Sequence, residues 1–145
     1  MKKTIVALAL CVFTLSAFAA GPGIDEKVVR AFEQTFPNVQ EVNWVEQPQS
    51  YEVSFKQNET RATITYDKEG NILKTLRYYG EAQLPIMVIS RLRTKFGNKK
   101  IFGVVEECSE EGMYYHITLE DDTHWTKVRA DTYGSISIEQ KFKKA

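Results

Sequence analysis

Histidine is the side chain best suited to acid–base chemistry near neutral pH, and the chain has only two, His116 and His124. A catalytic triad would need one of them beside a nucleophile that it activates, and no spacing in the sequence provides this. The sequence also lacks a Gly-x-Ser-x-Gly elbow, a glycine-rich phosphate loop and a His-Glu-x-x-His helix. We therefore predict that the protein is not an enzyme and carries no cofactor.

A shared metal ion is the other chemistry that two histidines could support. Both lie in a stretch of alternating apolar and polar residues, where His124 is expected to face Leu119 rather than His116. The two imidazoles should then point to opposite faces of a sheet, so we predict no metal site. A weak cation site at Glu110-Glu111 and Asp121-Asp122 is the alternative, although such pairs are usually only hydrated.

Aromatic and basic residues near the histidines indicate binding rather than catalysis. A tryptophan exposed beside tyrosine and arginine is the composition of a protein-binding hot spot. Of the pair Tyr78-Tyr79, one ring must point outward, and we expect it to be Tyr79. The alternative for Trp125 is that a loop or the chain terminus covers it. The predicted protein-binding residues are Trp125, Tyr114, His116, Arg129, Arg61 and Tyr79.

Two predicted hairpins position these residues. In the stretch 51–70, a turn at Asn58-Glu59 gives the apolar cross-strand pairs Phe55–Ala62, Val53–Ile64 and Tyr51–Tyr66. In the stretch 115–134, we place the turn at Asp121-Asp122. The pairs would then be Leu119–His124, Ile117–Thr126 and Tyr115–Val128.

A constant offset of 64 residues aligns the two hairpins, apolar position on apolar position. An amphipathic helix from Asp25 to about Phe36 and another from Leu84-Pro85 to about Phe96 align at an offset of 60. After the second helix, Phe102 and Val104 match Val42 and Trp44 of the first half. The four residues gained between the offsets fall around 106–113, where we expect an acidic surface loop.

One helix followed by four strands occurs twice in the sequence. This order predicts an α+β protein with one continuous antiparallel sheet. We predict repeats at residues 20–80 and 81–145. Both helices should cover one face, above an inner layer of Tyr51, Val53, Phe55, Ile64, Tyr66, Tyr115, Ile117, Leu119 and Val128. The other face should stay free.

Residues 1–19 have the form of a secretory signal peptide, with Lys2 and Lys3, an apolar run and a small-x-small site before a cleavage that we place after Ala19. Leu10 is not the small residue that a lipoprotein signal needs before Cys11. Loss of two lysines leaves 17 basic residues against 19 acidic ones, so nothing favours nucleic acid. No further run could span a membrane, and Cys108 is left without a cysteine to pair with.

Several motifs have the types and spacing of a known family. They are Ala31-Phe32, Phe36-Pro37, Val42-x-Trp44, Tyr51-x-Val53-x-Phe55, Tyr66-Asp67-x-x-Gly70, Leu84-Pro85, Tyr115-x-Ile117-x-Leu119 and Asp131-x-x-Gly134. In these the chain resembles the PepSY-like family of small exported bacterial proteins, related in fold to β-lactamase inhibitor protein (BLIP). The resemblance implies a BLIP-like architecture, an envelope location and a binding or inhibitory role.

The function expected from the sequence is therefore a periplasmic or secreted, non-enzymatic module. It would bind an unidentified envelope or secreted protein or peptide on the free sheet face around Trp125. The alternative is a small-ligand or metal sensor, or a regulator of an envelope protease, with its site in the cleft between the repeats.

Overall fold

The computed structural model describes residues 21, 23–97 and 99–145. The predicted signal peptide and its cleavage site lie outside this part of the chain. Within it, neither helix has the length and apolar character that crossing a bilayer demands.

One helix and four strands make up the first half: α1 (Glu26–Thr35), β1 (Gln40–Glu46), β2 (Ser50–Gln57), β3 (Thr60–Asp67) and β4 (Ile72–Tyr79). The helix begins where expected because the Asp25 carboxylate accepts a hydrogen bond from the Lys27 amide at 2.8 Å. It ends before Pro37, which cannot continue a helix.

The second half has the same order: α2 (Ile86–Phe96), β5 (Lys100–Ser109), β6 (Gly112–Glu120), β7 (His124–Asp131) and β8 (Ile136–Lys143), preceded by a short 3-10 turn, Glu81–Gln83. The prediction of a surface loop at 106–113 is wrong. Strand β5 continues to Ser109 because it pairs with β4 over this stretch, as far as Lys74 opposite Ser109. Within it, Glu106 accepts hydrogen bonds from Arg77 and Tyr79 of β4. The extra residues therefore lengthen a hairpin, which turns at Glu110-Glu111.

All eight strands form one sheet in chain order, β1 to β8, and each neighbouring pair is antiparallel. The register predicted for the first hairpin is confirmed: Phe55 faces Ala62, Val53 faces Ile64 and Tyr51 faces Tyr66. Its turn residues, Asn58 and Glu59, have φ angles of 47° and 66°. Two consecutive left-handed residues match the right-handed twist of the strands that they join.

The register predicted for the second hairpin is wrong by two residues. Leu119 faces Thr126, Ile117 faces Val128 and Tyr115 faces Ala130. The Asp121 carboxylate accepts hydrogen bonds from the amides of Thr123 at 2.9 Å and His124 at 2.7 Å, which fixes a longer connection than the expected two-residue turn. Because side chains alternate with a period of two, this shift leaves each one on its predicted face.

Two separate hydrophobic cores lie on the same face of the sheet. Under α1, Val28 and Phe32 pack with Val53, Phe55 and Ile64, whereas α2 packs on β5–β7 through Val88 and Leu92. The cross-strand row Phe55–Ala62–Arg77–Glu106–Tyr115 runs unbroken from one core to the other, so the two helices share a side. The predicted inner layer is buried in full. No described helix or strand packs on the opposite side, which we call the open face.

Candidate binding site on the open sheet face

One cross-strand row of the open face crosses the whole sheet. It contains Gln40, Lys56, Arg61, Tyr78, Val105, His116, Arg129 and Ser137. Three of the six predicted binding residues, Arg61, His116 and Arg129, therefore lie on one line. The line is long, because neighbouring strands are about 4.8 Å apart and Arg61 lies four strands from Arg129.

Trp125 lies near one end of the open face, within a group of aromatic rings. Phe102 meets it edge-on at 4.9 Å between ring centroids, and Phe142 lies directly opposite it on β8. Phe102 is 61% exposed and Phe142 is 39% exposed. Three large aromatic side chains therefore lie close together without a covering layer, which is the composition typical of interface hot spots.

A lysine accompanies each of these rings. The Lys144 ammonium lies 4.8 Å from the centre of the Trp125 ring, and Lys100 and Lys127 each lie 6.0 Å from their rings, Phe102 and Phe142. We call these six residues the aromatic–lysine cluster. The alternative prediction for Trp125 is that the chain terminus covers it. This is correct in part, since Lys144, the second-last residue, lies over the ring and Trp125 is half-buried.

Glu120 fixes two of these lysines. Its carboxylate is 2.6 Å from the Lys144 ammonium and 3.7 Å from that of Lys100. The hydrogen bond from Lys144 is the main reason why the pKa of Glu120 lies below its usual range. Lys127, the third lysine of the cluster, forms no salt bridge with a carboxylate of the described residues, whereas Asp121 and Asp122 line the same depression as Lys100 and Lys144.

Arg129 and Tyr114 form a cation–π pair on the same face. The guanidinium carbon of Arg129 lies 3.6 Å from the centre of the Tyr114 ring. His116, opposite Arg129, lies between two carboxylates, with Nε2 3.3 Å from Glu107 and Nδ1 3.3 Å from Glu139. The four predicted residues of the second half, Trp125, Tyr114, His116 and Arg129, thus occupy adjacent strands of one face.

The orientation predicted for Tyr79 is wrong. Tyr79 pairs with Val104 on the helix side and packs against the core under α2, where its hydroxyl donates to Glu106 at 2.7 Å. Burial and the adjacent carboxylate raise its pKa. Tyr78 is the one that points to the open face, opposite Arg61. Strand β4 has no clear alternation of its own, so its pairing with β3 decides which ring points outward.

Sequence reasoning missed Phe102 and Phe142. By its match to Val42, Phe102 should face the core, but the register of β5 shifts between Ile101 and Gly103. A bulge of this kind turns a side chain to the other face. The position of Phe142 beside Trp125 could have been predicted, because its strand pairs with the strand that contains Trp125.

Acidic residues dominate one end of the open face. At the end away from the aromatic–lysine cluster, a shallow depression of about 580 Å³ is lined by Glu52, Glu107, Glu110 and Glu111, with Lys74 as the basic residue. One end of the face is therefore acidic, and the other carries the aromatic–lysine cluster.

The helix side has a narrower groove beside α1, at the middle of the sheet. It encloses about 280 Å³, with Phe36, Phe55 and Ile64 among its apolar lining and Thr75 and Arg77 among its polar lining. Within the described residues, no group of three His, Cys, Asp or Glu side chains is placed to hold a metal ion. His116 points to the open face, and His124 faces Lys143 on the helix side.

Comparison with solved structures identifies the architecture. A BLIP-like protein from Bacteroides fragilis NCTC 9343 superposes with a TM-score of 0.67 at 16% identity, over 83% of this chain and 88% of that one. The fold is therefore BLIP-like. A DUF2874 family protein from Bacteroides ovatus ATCC 8483 matches with a TM-score of 0.65 at 16% identity, over 84% of this chain and 86% of that one.

A further structural neighbour is a protein of Bacteroides eggerthii DSM 20697 whose assignment to the periplasm is provisional. It matches with a TM-score of 0.67 at 11% identity, over 82% of this chain and 88% of that one. No family model matches the chain, and no curated protein matches it at a significant level. These likenesses concern the fold alone.

Proposed function

We propose that the protein is an exported, non-enzymatic binding module that takes a protein or peptide on its open face. The observation that carries the proposal is the aromatic–lysine cluster, which stands on a face that no described element covers. Large aromatic and arginine side chains that are already ordered lose little entropy on binding, so they suit the centre of an interface.

The shape and the charge of the open face favour a polypeptide over a small molecule. The face is broad and the row through Arg61, His116 and Arg129 spans several strands, whereas small ligands prefer enclosed pockets. The partner would present acidic or aromatic groups to the cluster and basic groups to the end that carries Glu107 and Glu110.

We further infer that the chain arose by doubling of one helix-and-four-strand unit and belongs with the PepSY-like proteins. The observed pairs Phe55–Ala62 and Leu119–Thr126 support this, because both members differ by 64 residues. Export rests on the signal-like residues 1–19, and the provisional periplasmic assignment of one structural neighbour agrees with it. A binding or inhibitory role fits the BLIP-like description of another neighbour.

Affinity capture from an envelope extract tests the proposal. We expect Trp125→Ala to fold but to lose at least about 2 kcal/mol of binding, the loss typical of a hot-spot residue. Ile72→Ala is the matched control, since Ile72 is 50% exposed and pairs with Tyr66 at the other end of the strands, away from the cluster. Equal capture by both variants would rule out the open face around Trp125 as the binding surface.

The groove beside α1 supports a second candidate, a small amphipathic ligand. Its apolar wall and the exposed guanidinium of Arg77 would take an apolar body with an anionic end. A thermal-shift screen with small carboxylic acids tests this, because a ligand stabilises the state that it binds. A hit abolished by Thr75→Trp, which fills the groove, would favour the sensor function, and a screen without hits would count against it.

A further inference from the structure

Four apolar side chains protrude at the outer edge of the helix side, where α2 lies beside β8. Ile86 is 85% exposed, Tyr133 83%, Met87 56% and Ile138 55%. Residues of these types are normally buried, and exposure of several together marks an interaction surface. None of them belongs to the open face.

Two contacts join α2, which carries Ile86 and Met87, to the turn and strand that carry Tyr133 and Ile138. Gly134, the neighbour of Tyr133, lies so close to α2 that a Cβ on it would come within 2.9 Å of Arg91 Cγ and 3.4 Å of Met87 Cγ. Further along, the Lys95 ammonium donates to the Ile136 carbonyl at 2.9 Å. The protruding residues of α2 and those of β7–β8 are therefore adjacent.

The strip is also basic. Arg91 and Lys95 lie on the side of α2 that contacts β8, and Lys141 and Lys143 pair with Thr126 and His124 on the helix side of the sheet. None of these four cations forms a salt bridge with a carboxylate of the described residues.

The acidic residues near the strip are few. Helix α2 contains no acidic residue, whereas α1 has Glu26 and Glu33 beside its basic residues. In the turn between β7 and β8, the Asp131 carboxylate accepts hydrogen bonds from the amides of Tyr133 and Ser135. We call the eight residues Ile86, Met87, Tyr133, Ile138, Arg91, Lys95, Lys141 and Lys143 the α2–β8 strip.

We propose that the α2–β8 strip attaches the protein to the surface of an anionic lipid bilayer. Protruding Ile, Met and Tyr side chains can enter the boundary between headgroups and acyl chains, while the lysines and arginine beside them meet lipid phosphates. An acidic protein would complement the charge equally well. It would, however, need a concavity to accept Ile86 and Tyr133, whereas a fluid lipid surface adapts to them. The attachment leaves the open face directed elsewhere and available to a partner.

Flotation of the mature chain with vesicles tests the proposal. We expect binding to phosphatidylglycerol–phosphatidylcholine vesicles at low salt, little binding to phosphatidylcholine alone, and weakening as salt screens the charges. Ile86→Ser/Tyr133→Ser should abolish binding. Lys141→Gln/Lys143→Gln should reduce the partition coefficient about 30-fold, from about 1 kcal/mol for each cation at an anionic surface.

The control removes the same charge from the other helix. Lys27→Gln/Arg30→Gln on α1 should bind as the unchanged protein does, and so should Trp125→Ala, which separates this surface from the open face. All variants change exposed or half-exposed side chains, and circular dichroism checks their folding. Absence of vesicle binding, or an equal loss in the α1 variant, would overturn the proposal. Binding to polyglutamate without binding to vesicles would also overturn it and would assign the strip to an acidic polypeptide.

Discussion

The ring of Phe102 meets the ring of Trp125 edge-on, with the two planes at 79° and the centroids 4.9 Å apart. The two residues come from β5 and β7, which β6 separates, so their contact bridges a strand. The contact orders the tryptophan on a face that has no helix above it. Such a pair adds about 0.5–1.5 kcal/mol beyond the area that it buries.

Phe102→Ala should therefore loosen Trp125 without unfolding the protein. In a Trp44→Phe background, where Trp125 is the only tryptophan, its fluorescence should shift to the red and acrylamide should quench it more strongly. The free energy of unfolding should fall by about 0.5–1.5 kcal/mol. Tyr78→Ala, on the same face but away from the cluster, is the control. An unchanged emission spectrum in Phe102→Ala would mean that the pair does not hold the ring.

Thr126→Val should stabilise the protein. Thr126 is only 2% exposed in the core under α2, and its hydroxyl finds no hydrogen-bond partner among the described residues. Valine has nearly the same shape and removes the cost of an unpaired buried hydroxyl, about 1–3 kcal/mol. Urea unfolding measures the change, with Thr118→Val on the open face as the control. A loss of stability in Thr126→Val would show that the hydroxyl has a partner.

Glu59→Gly should also stabilise the protein, through the backbone. Glu59 has a φ of 66°, a region that costs a residue with a side chain roughly 1–2 kcal/mol. Glycine adopts this φ freely, and the Lys56–Glu59 pair that is lost has a 91% exposed carboxylate and contributes little. We expect a higher melting temperature. Asp122→Gly, at a position without a positive φ, should give no increase.

Stability should fall in acid through the turn carboxylates. Hydrogen bonds from the Lys99 ammonium and from the Thr123 and His124 amides hold the pKa of Asp121 below its usual range. A lowered pKa in the folded state means that the stabilisation is present above the usual aspartate pKa of about 3.9 and is lost as the pH falls below it. The pKa of Asp67 is also lowered, mainly by a hydrogen bond from the Asn71 side chain, and that of Asp131 by a hydrogen bond from the Ser135 amide. Both carboxylates therefore contribute with the same sign.

The check is the urea midpoint measured from pH 6 down to pH 2. The midpoint of the unchanged protein should drop more steeply below pH 4 than that of Asp121→Asn, which has no carboxyl to protonate at that position. Asp122→Asn is the control, because the Asp122 carboxylate accepts no hydrogen bond within the described residues. Parallel curves for Asp121→Asn and the unchanged protein would contradict the prediction.

The elements and their buried faces were predictable from the sequence because two local signals agreed in most of them. The alternation of apolar and polar residues predicted the inner layer, and turn or cap residues such as Asp25 and Asn58 predicted where helices and strands begin and end. For the second hairpin, the turn residues alone predicted the wrong register. Shifting the first hairpin's pairs by 64 residues yields Leu119–Thr126 and Tyr115–Ala130, which are the pairs observed.

The candidate site was harder to predict because its exposed residues obey weaker rules. The positions of Trp125 and Arg129 follow from alternation, but that of Phe102 depends on a bulge whose one sequence signal is the isolated glycine Gly103. Tyr78 and Tyr79 show the same limit, since the partner strand decides which ring is outside. The orientation of a buried side chain is determined by packing against many neighbours. The orientation of a surface side chain depends only on the local geometry of its own strand.

The strand order carries a consequence for how the chain becomes a protein. Every strand hydrogen-bonds to the strands immediately before and after it in the chain, so no pairing waits for a distant segment to be synthesised. A chain delivered from its amino end can complete the core under α1 while the later residues are still arriving. The unpaired edge then advances one hairpin at a time, and the finished part serves as the template for the next.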